Sequence, residues 1–564
     1  MPFLAEQHYP IPTKDILSWT FDDYKHDWDE PIYIDALKPS NAFSARQAQT
    51  VVRQLVAGFR AVGLKKGDCV CIHSFNDVCY PLFFLGVIAA GGVFAGTNPA
   101  YTSYELAHAL KTAKVKFVLT APALLEPVLK AAKDVEWLGK DKVLIFNPNG
   151  ELAPAGYIQW KDLLQHGEQD WLRFDDLRTA KHTEAARFFS SGTTGLAKAA
   201  SLSHYNLVAQ HTLVFESNPY PWRASRLNAL PMFHAATAPS AHCTPLRSGE
   251  RAYVMPRFEP EKWFWAMDHY QITDVTLVPP VVVMAINSPL NKKYSLKHVR
   301  LARVGAAPLD KGPQARMKAL LSEQTPLTQA WGMTETSCVA TMFGWQEHDE
   351  TGGVGRLIPD LDAKLVDDDG RDISGYDARG ELCVRGPTII DGYFENPEAN
   401  ARDWDADGYF HTGDIAYCDG KTKLWYIVDR KKVCRIQSFG RRFRPTTKHA
   451  TQELIKVRGF QVAPPELEGV LLGHPDIVDA AVIGVTETTR EGSELPRAYL
   501  VRRPGNGGSP TPAELHKYMR ERLASYKMLE GGVVYVDAIP KNASGKILKR
   551  LLREQAKLEM GAKL

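Results

Sequence analysis

Short apolar runs, each bounded by turn residues, alternate with amphipathic segments over most of this chain. The runs include CVCIHSF (69–75), KFVLTAP (116–122), KVLIFNP (142–148), ITDVTLVPP (272–280) and HVRLARVGAA (298–307). Helix-like segments such as 45–62 and 104–113 lie between them. Alternation of strand-like and helix-like segments predicts α/β layers with largely parallel sheets.

This pattern changes after about residue 360. Segments 362–366, 380–385 and 424–429 are short, alternate in polarity and end at turns, which indicates a smaller β-rich subdomain at about 360–430. Beyond Glu453 a compact stretch of strand-like and helix-like segments indicates a separate α+β domain. We therefore expect an N-terminal domain at 1–430 and a C-terminal domain at 453–564, with residues 431–452 between them.

The composition excludes several classes of protein. Of 564 residues 44% are hydrophobic and 24% are charged, and the formal net charge of +3 provides no basic field to attract nucleic acid. The eight cysteines form no C-x-x-C pair, so neither a disulfide framework nor a thiolate zinc site is indicated. Segment 78–97 is uncharged, but Pro81, Gly91 and Gly92 interrupt it, so we expect a buried helix, a turn and a buried strand rather than a membrane span.

The segment SSGTTGLAK (190–198) combines four hydroxyls, two glycines and a lysine after an apolar run. Glycines let the backbone approach an anion closely, and the N–H, hydroxyl and ammonium groups donate to it, so the segment predicts a phosphate-binding loop. It is not of the Walker type, because no glycine precedes Lys198 and no Ser or Thr follows it. A flexible surface loop is the alternative interpretation.

Further motifs follow this loop in order: PMFHAA (231–236), QAWGMTET (329–336), YFHTGD (409–414), DRKK (429–432), KVRGFQV (456–462) and PKNASGK (540–546). Together with SSGTTGLAK they resemble the adenylate-forming superfamily, and within it the acyl-CoA synthetases of 4-coumarate–CoA ligase and luciferase type. The resemblance covers roughly residues 40 to 555. It departs from the family pattern at Ala197 and Ala199, which stand where the family has Pro and Gly.

The resemblance implies an α/β fold with a large N-terminal domain of two layered α/β subdomains plus a β-rich subdomain, and a small mobile α+β C-terminal domain. It also implies a two-step reaction. ATP and a carboxylic acid form an acyl-adenylate, and the acyl group is then transferred to coenzyme A. Both steps rest on positioning and electrostatic stabilisation, so no protein nucleophile is required. In the family the C-terminal domain takes one orientation for each step, with Lys546 facing the site first and the Gly459–Phe460 face second.

By the same resemblance, Trp331 offers a flat face to adenine, Asp414 accepts from the ribose hydroxyls, and Glu335 with Thr194 binds Mg²⁺. The implied catalytic residues are Lys546, His234, Thr193 and Glu335. The implied ATP- and AMP-binding residues are Ser190, Ser191, Gly192, Thr193, Thr194, Gly195, Lys198, Ala306, Gln329, Ala330, Trp331, Gly332, Met333, Thr334, Asp414, Arg430 and Lys546.

The acyl pocket and the coenzyme A site are also implied by the resemblance. The pocket residues are His234, Ala235, Ala236, Val304, Gly305, Ala330, Cys338 and Val339. This lining is small and apolar with no fixed counter-charge, which disfavours a dicarboxylate or an amino acid and suits an aryl, arylalkanoic or medium-chain acid. The thioester step is expected to involve Lys456, Gly459 and Phe460.

The sequence thus predicts an AMP-forming acid–thiol ligase that uses ATP, Mg²⁺ and coenzyme A. Three alternatives stay open: an adenylation enzyme that loads a carrier protein in trans, a luciferase-like oxygenase, and a non-catalytic homologue. The final Ala562-Lys563-Leu564 resembles the Ser-Lys-Leu address, which predicts import by the peroxisomal receptor. A frayed helix end, in a protein that remains cytoplasmic, is the other interpretation.

Residues 433–452 (VCRIQSFGRRFRPTTKHATQ) do not fit the family pattern. Joining DRKK directly to ELIK restores DRKKELIKVRGFQ without a gap, so these 20 residues form an insert. The insert has no Asp or Glu and no sustained apolar period, which makes it a poor candidate for packed structure. Val-Cys at its start and Gln at its end are what GTATGT and CAG would encode. We therefore hypothesise an unspliced intron in the gene, with a basic tether as the alternative.

Overall fold

The computed structural model describes residues 1–190, 197–309, 311–430, 454–458, 460–487, 493–503, 510–540 and 547–561. For Asp429, Arg430, Pro465, Arg550, Met560 and Gly561 it describes the backbone alone. The insert 433–452 and the final three residues lie outside these ranges, so their predicted roles stay predictions.

Two mostly parallel sheets form the large N-terminal domain. In spatial order, one contains Leu327–Gln329, Leu301–Val304, Asp274–Leu277, Ser225–Asn228, Arg251–Val254, Pro31–Asp35 and the antiparallel edge Ala42–Ser44. The other contains Gly392–Tyr393, Lys198–Ser203, Glu184–Ser190, Val93–Gly96, Cys69–His73, Val115–Thr120 and Val143–Ile145, of which the first two pair antiparallel.

Antiparallel sheets and one mixed sheet, in which Glu494–Arg502 pairs parallel with Val533–Tyr535, complete the fold. The β-rich part joins Asp362–Val366, Gly380–Arg385, Phe410–Cys418 and Trp425–Arg430, and a smaller sheet joins Trp331–Met333, Cys338–Met342 and Arg356–Leu357. The small C-terminal domain has the hairpin Ile455–Val457/Phe460–Val462 and a sheet of Ile477–Thr486, Glu494–Arg502 and Val533–Tyr535.

The helices cover both faces of the parallel sheets and pack on the C-terminal sheet. They are Ile16–Phe21, Ala45–Ala61, Tyr80–Ala89, Ser103–Thr112, Leu125–Ala132, Trp160–Leu163, Leu177–His182, His204–His211, Thr244–Ser248, Pro260–His269, Pro279–Asn287, Lys311–Leu320, Pro397–Asp403, Pro464–Leu472, Pro512–Arg520 and Lys549–Gly561. The expected α/β class, with a large N-terminal and a small C-terminal domain, is confirmed.

The uncharged segment 78–97 folds as expected. Helix Tyr80–Ala89 is apolar on every side and fully buried, Gly91 turns the chain at a φ of 85°, and strand Val93–Gly96 follows in the sheet core. A helix that is apolar all round belongs in a protein core or a membrane. Among the described residues, no helix has both the length and the apolar character that crossing a membrane requires.

Candidate active site

Two strands of the second sheet bring the ends of the predicted phosphate loop together. Ser190 ends strand Glu184–Ser190, Lys198 begins strand Lys198–Ser203, and the two residues are direct antiparallel partners. The loop between these ends would therefore leave the sheet beside both side chains. Its remaining predicted residues, Ser191, Gly192, Thr193, Thr194 and Gly195, lie outside the described ranges.

Glu335 is a buried carboxylate held in one orientation. Its side chain is 2% exposed, and Oε1 accepts hydrogen bonds from Ser190 Oγ and from the Tyr393 hydroxyl, both at 2.7 Å. From the described residues, Oε2 accepts no hydrogen bond and no Lys or Arg forms an ion pair with the carboxylate. A carboxylate with neutral donors on one oxygen suits a hard divalent cation on the other.

Lys198 extends the same cluster. Its Nζ lies 3.0 Å from Asp403 Oδ2 and 3.7 Å from the centre of the Tyr393 ring. Burial lowers the pKa of Lys198, and this effect exceeds the opposing attraction of Asp403. Sequence reasoning missed Tyr393 and Asp403, because nothing in their spacing from the loop indicates that they meet it.

Trp331 and Asp414 contact each other directly. The indole Nε1 donates to Asp414 Oδ2 at 2.8 Å, and Trp331 is 9% exposed, so little of its ring is open to an adenine. Asp414 lies in strand Phe410–Cys418 directly opposite Arg430, whose backbone ends the next strand. The structure therefore brings the predicted adenine and ribose residues to one place, next to the last residue before the predicted hinge.

Met333, Thr334 and Glu335 lie in a tight turn between two strands. A Cβ on Gly332 would lie 1.6 Å from the Cys338 carbonyl oxygen, so only glycine fits this pairing of strands Trp331–Met333 and Cys338–Met342. Ser337 then adopts a left-handed φ of 57°, which is uncommon for a residue with a side chain. The Met333 N–H donates to Thr336 Oγ1 at 3.0 Å, which fixes the turn between them.

The side-chain amide of Gln329 forms hydrogen bonds that stabilise the loop containing Ala306. Its Oε1 accepts from the Leu309 N–H at 2.8 Å, and its Nε2 donates to the Leu309 carbonyl at 3.0 Å and to Gln314 Oε1 at 3.1 Å. Gln329 is 4% exposed, so its amide holds the loop rather than facing a ligand. Ala306 itself is exposed at a left-handed φ of 66°.

Of the predicted acyl-pocket residues, His234 is exposed. Its Nδ1 accepts a hydrogen bond from the Ala236 N–H at 3.1 Å, and desolvation by the surrounding protein lowers its pKa. Ala235 is buried, whereas Ala236 is exposed and its carbonyl accepts from Cys338 Sγ at 3.3 Å. Burial raises the pKa of the Cys338 thiol to about 12, so it remains neutral. The other predicted pocket residues Gly305, Ala330 and Val339 are partly exposed.

One of the predicted pocket residues has a buried side chain. The Val304 side chain is 1% exposed and belongs to the apolar core cluster with its strand partner Leu277, so Val304 contributes its backbone alone, through a carbonyl that accepts from the Ala330 N–H at 2.9 Å. Alternation along the strand directs neighbouring residues to opposite faces. A separate small cleft, which includes none of the predicted pocket residues, is lined by Arg226, Leu227, Asn228, Leu230, Thr237, Ser240, Ala241, Asp274 and Thr276.

The charged side chains at this cleft form ion pairs with one another. Arg226 Nε donates to Glu250 Oε2 at 2.7 Å, and its Nη2 lies 3.8 Å from Asp274 Oδ1. Thr276 is exposed although its strand is central in the sheet, which shows that the cleft is open above it. The cleft therefore presents polar but largely neutralised groups at its base.

The C-terminal hairpin reaches the same region. Lys456 and Phe460 are both exposed, and between the domains Gln461 Nε2 donates to the Ala306 carbonyl at 2.8 Å. The structure thus brings part of the predicted thioester segment to the end of the sheet where the nucleotide and acyl residues meet. Gly459 and Lys546, which complete the predicted set, lie outside the described residues.

Comparison with known proteins identifies this arrangement. The sequence model of the AMP-binding enzyme family matches residues 22–394, and that of the AMP-binding enzyme C-terminal domain matches residues 466–546. The chain belongs to the adenylate-forming AMP-binding enzymes. This family membership confirms the resemblance inferred from the motifs.

The relatives of this AMP-binding enzyme are ligases. A phenylacetyl-CoA ligase of Aspergillus niger is 48% identical over 98% of this chain and 99% of its own length. An acyl-CoA ligase, azaF, of the same species is 49% identical over 98% of this chain and 100% of its own length. An amide bond synthetase of Marinactinospora thermotolerans has the same fold, with a TM-score of 0.78 at 22% identity over 96% of this chain and 99% of its own. The predicted AMP-forming acyl-CoA ligase, using ATP and coenzyme A, is confirmed as a reaction class.

Proposed function

We propose that this ligase activates an arylalkanoic acid of the phenylacetic type. The observation that carries the proposal is that the predicted pocket residues beside His234 are small and uncharged, namely Ala235, Ala236 and Cys338. The name of the 48% identical phenylacetyl-CoA ligase supports the same class.

In the adenylation step, this chain has to bring the acid carboxylate to the α-phosphate and stabilise the charge that develops between them. The acid would lie beside His234, and the nucleotide would lie at Trp331 and Asp414. Positioning of this kind can lower a barrier by several kcal/mol without a protein nucleophile. Lys546 is the predicted cation for the forming bond.

The residues present fit a magnesium ion. Glu335, together with Thr194, would hold it, because the described partners of Glu335 are two hydroxyls on Oε1. When bound, Mg²⁺ neutralises charge on the ATP phosphates. The contribution of this chain is the orientation of the Glu335 carboxylate.

A panel of acids tests the substrate class. ATP–pyrophosphate exchange would be measured with phenylacetic, 4-hydroxyphenylacetic, benzoic, hexanoic and malonic acids, followed by thioester formation with coenzyme A. We expect the highest kcat/KM with the two phenylacetic acids and the lowest with malonic acid. A preference for hexanoic acid would contradict the proposal, exchange without any thioester would favour carrier loading, and the absence of both would favour a non-catalytic homologue.

We also propose peroxisomal import through Ala562-Lys563-Leu564. The support is the resemblance of this tripeptide to Ser-Lys-Leu. Deleting the three residues should leave the activity in vitro unchanged and should release a fluorescently tagged protein into the cytosol. An unchanged peroxisomal location would contradict this address.

A further inference from the structure

A buried ion triad joins the two domains. Lys527 Nζ, in the C-terminal domain, lies 2.7 Å from Glu105 Oε1 of the large domain and 2.7 Å from Glu466 Oε1 of its own domain. The three side chains are 8%, 4% and 12% exposed, respectively. We call Glu105, Lys527 and Glu466 the docking triad.

Glu105 is preorganised for this contact. Its Oε2 accepts from the Thr102 N–H at 2.9 Å, and the Glu105 N–H donates to Thr102 Oγ1 at 3.3 Å, which together form the capping box of helix Ser103–Thr112. Oε1 remains directed at Lys527. The Thr102 hydroxyl also lies 2.6 Å from the Arg522 carbonyl, a second contact between the domains at the same helix end.

The docking triad is linked to the catalytic cleft through adjacent residues. Tyr526, next to Lys527, stacks on Phe460 with ring centres 4.1 Å apart and planes 17° apart. Phe460 begins the hairpin strand whose Gln461 donates to the Ala306 carbonyl at 2.8 Å. Fixing Lys527 therefore fixes the hairpin that the sequence assigns to the thioester step.

The helix that carries Glu466 has a different partner on its opposite side. In helix Pro464–Leu472, Glu466 contacts Lys527, whereas Glu468 accepts from Lys549 at 2.6 Å. Residues two apart on an α-helix point about 200° apart around its axis. Lys549, three residues after the predicted adenylation lysine, is therefore anchored on the side of the helix away from the large domain.

We propose that the docking triad holds the C-terminal domain in the orientation for acyl transfer to coenzyme A, so that Glu105 and Lys527 are positioning residues for the second half-reaction and not for the first. The proposal rests on the two-step ligase reaction and is independent of which acid is activated. Removing one partner of a buried ion pair leaves an uncompensated charge and destabilises the contact strongly. The loss of stability therefore affects the orientation in which the C-terminal domain is docked on the large domain.

The test separates the two half-reactions in Lys527→Met. Adenylation would be followed as pyrophosphate release without coenzyme A, and transfer as thioester formation from supplied acyl-adenylate. We expect transfer to fall by at least about tenfold and adenylation to stay within about twofold. Glu105→Gln, which keeps the side-chain volume, should show the same selective loss. Lys549→Met is the matched control, a buried lysine of the same domain that makes no contact with the docking triad, and it should not impair transfer selectively.

The half-reaction assays of these variants distinguish the proposal from its alternatives. Equal loss of both half-reactions in Lys527→Met and Glu105→Gln, with folded protein by circular dichroism, would overturn the proposal, as would unchanged transfer. If Lys527→Met does not fold, Glu105→Gln alone decides, because Gln removes the charge while its side-chain oxygen can still accept from the Thr102 N–H in the capping box. Failure with every acid of the panel in the native protein would instead refute the proposed substrate class and leave the supplied-adenylate assay to test the docking triad.

Discussion

Tyr393→Phe isolates the hydroxyl that orients the buried carboxylate of Glu335. In the native site Tyr393 and Ser190 both donate to Oε1, each at 2.7 Å, whereas no described residue donates to Oε2. The substitution keeps the ring that lies 3.7 Å from Lys198 Nζ and removes only the donor. A hydrogen bond to a charged group contributes about 1.5–3 kcal/mol.

The expected effect follows from this magnitude. At about 1.4 kcal/mol per factor of ten, adenylation should slow by about 10- to 100-fold. Because the carboxylate loses its fixed orientation, the Mg²⁺ concentration for half-maximal rate should rise as well. The assay is the initial rate of pyrophosphate release without coenzyme A, measured over a Mg²⁺ titration at saturating ATP and acid.

Tyr409→Phe provides a matched control. Tyr409 is 3% exposed and Tyr393 is 4% exposed, but the Tyr409 ring contacts Lys364 and its hydroxyl donates to no described residue. We expect its rate and Mg²⁺ dependence to stay within about twofold of the native values. A native rate in Tyr393→Phe would refute the orientation argument. A slower rate with unchanged Mg²⁺ dependence and a lower melting temperature would assign Tyr393 to stability alone.

Three further predictions concern the chain at other points. Lys546→Ala should abolish adenylation but spare transfer from supplied acyl-adenylate, the reverse of the docking-triad variants, and equal loss of both steps would count against it. Sequencing the spliced transcript should show that the 60 nucleotides encoding residues 433–452 are absent, and deleting these residues from the protein should raise turnover. Burial lowers the pKa of His73 and of His242 from 6.5 to about 4 in the folded protein. The folded state is therefore favoured when both imidazoles are neutral. Stability should therefore be full above pH 6.5 and should fall as the pH falls toward 4, by up to about 3 kcal/mol per histidine, which urea unfolding at pH 7, 6 and 5 would measure.

The elements that depend on local periodicity were predictable from the sequence. The run CVCIHSF forms strand Cys69–His73, and segment 45–62 forms helix Ala45–Ala61. Both were predictable because the spacing of apolar residues along a segment indicates a strand or a helix. The ordered motifs likewise predicted that Trp331 and Asp414 belong to one site, and the structure joins them by a hydrogen bond.

Contacts between distant parts of the chain were not predictable in this way. Tyr393 meets Glu335 from 58 residues away, and Lys527 meets Glu105 from 422 residues away, without any local signal of either contact. The direction of the Val304 side chain was not predictable for a different reason. A motif places a residue along the chain, but the pleat decides which face its side chain takes, and that face is the apolar core.

The docking triad also bears on the insert. In the sequence, 24 residues separate Arg430 from Ile455, and without the insert only four would remain. For a flexible link, closure cost grows as (3/2)RT ln n, so this difference is about 1.6 kcal/mol for each docking event. Breaking a buried ion pair costs about 3–5 kcal/mol, which is larger. A chain that retained the insert would therefore still dock its C-terminal domain, and removing the insert should raise turnover by no more than about 15-fold. A larger gain would mean that the insert obstructs the site directly.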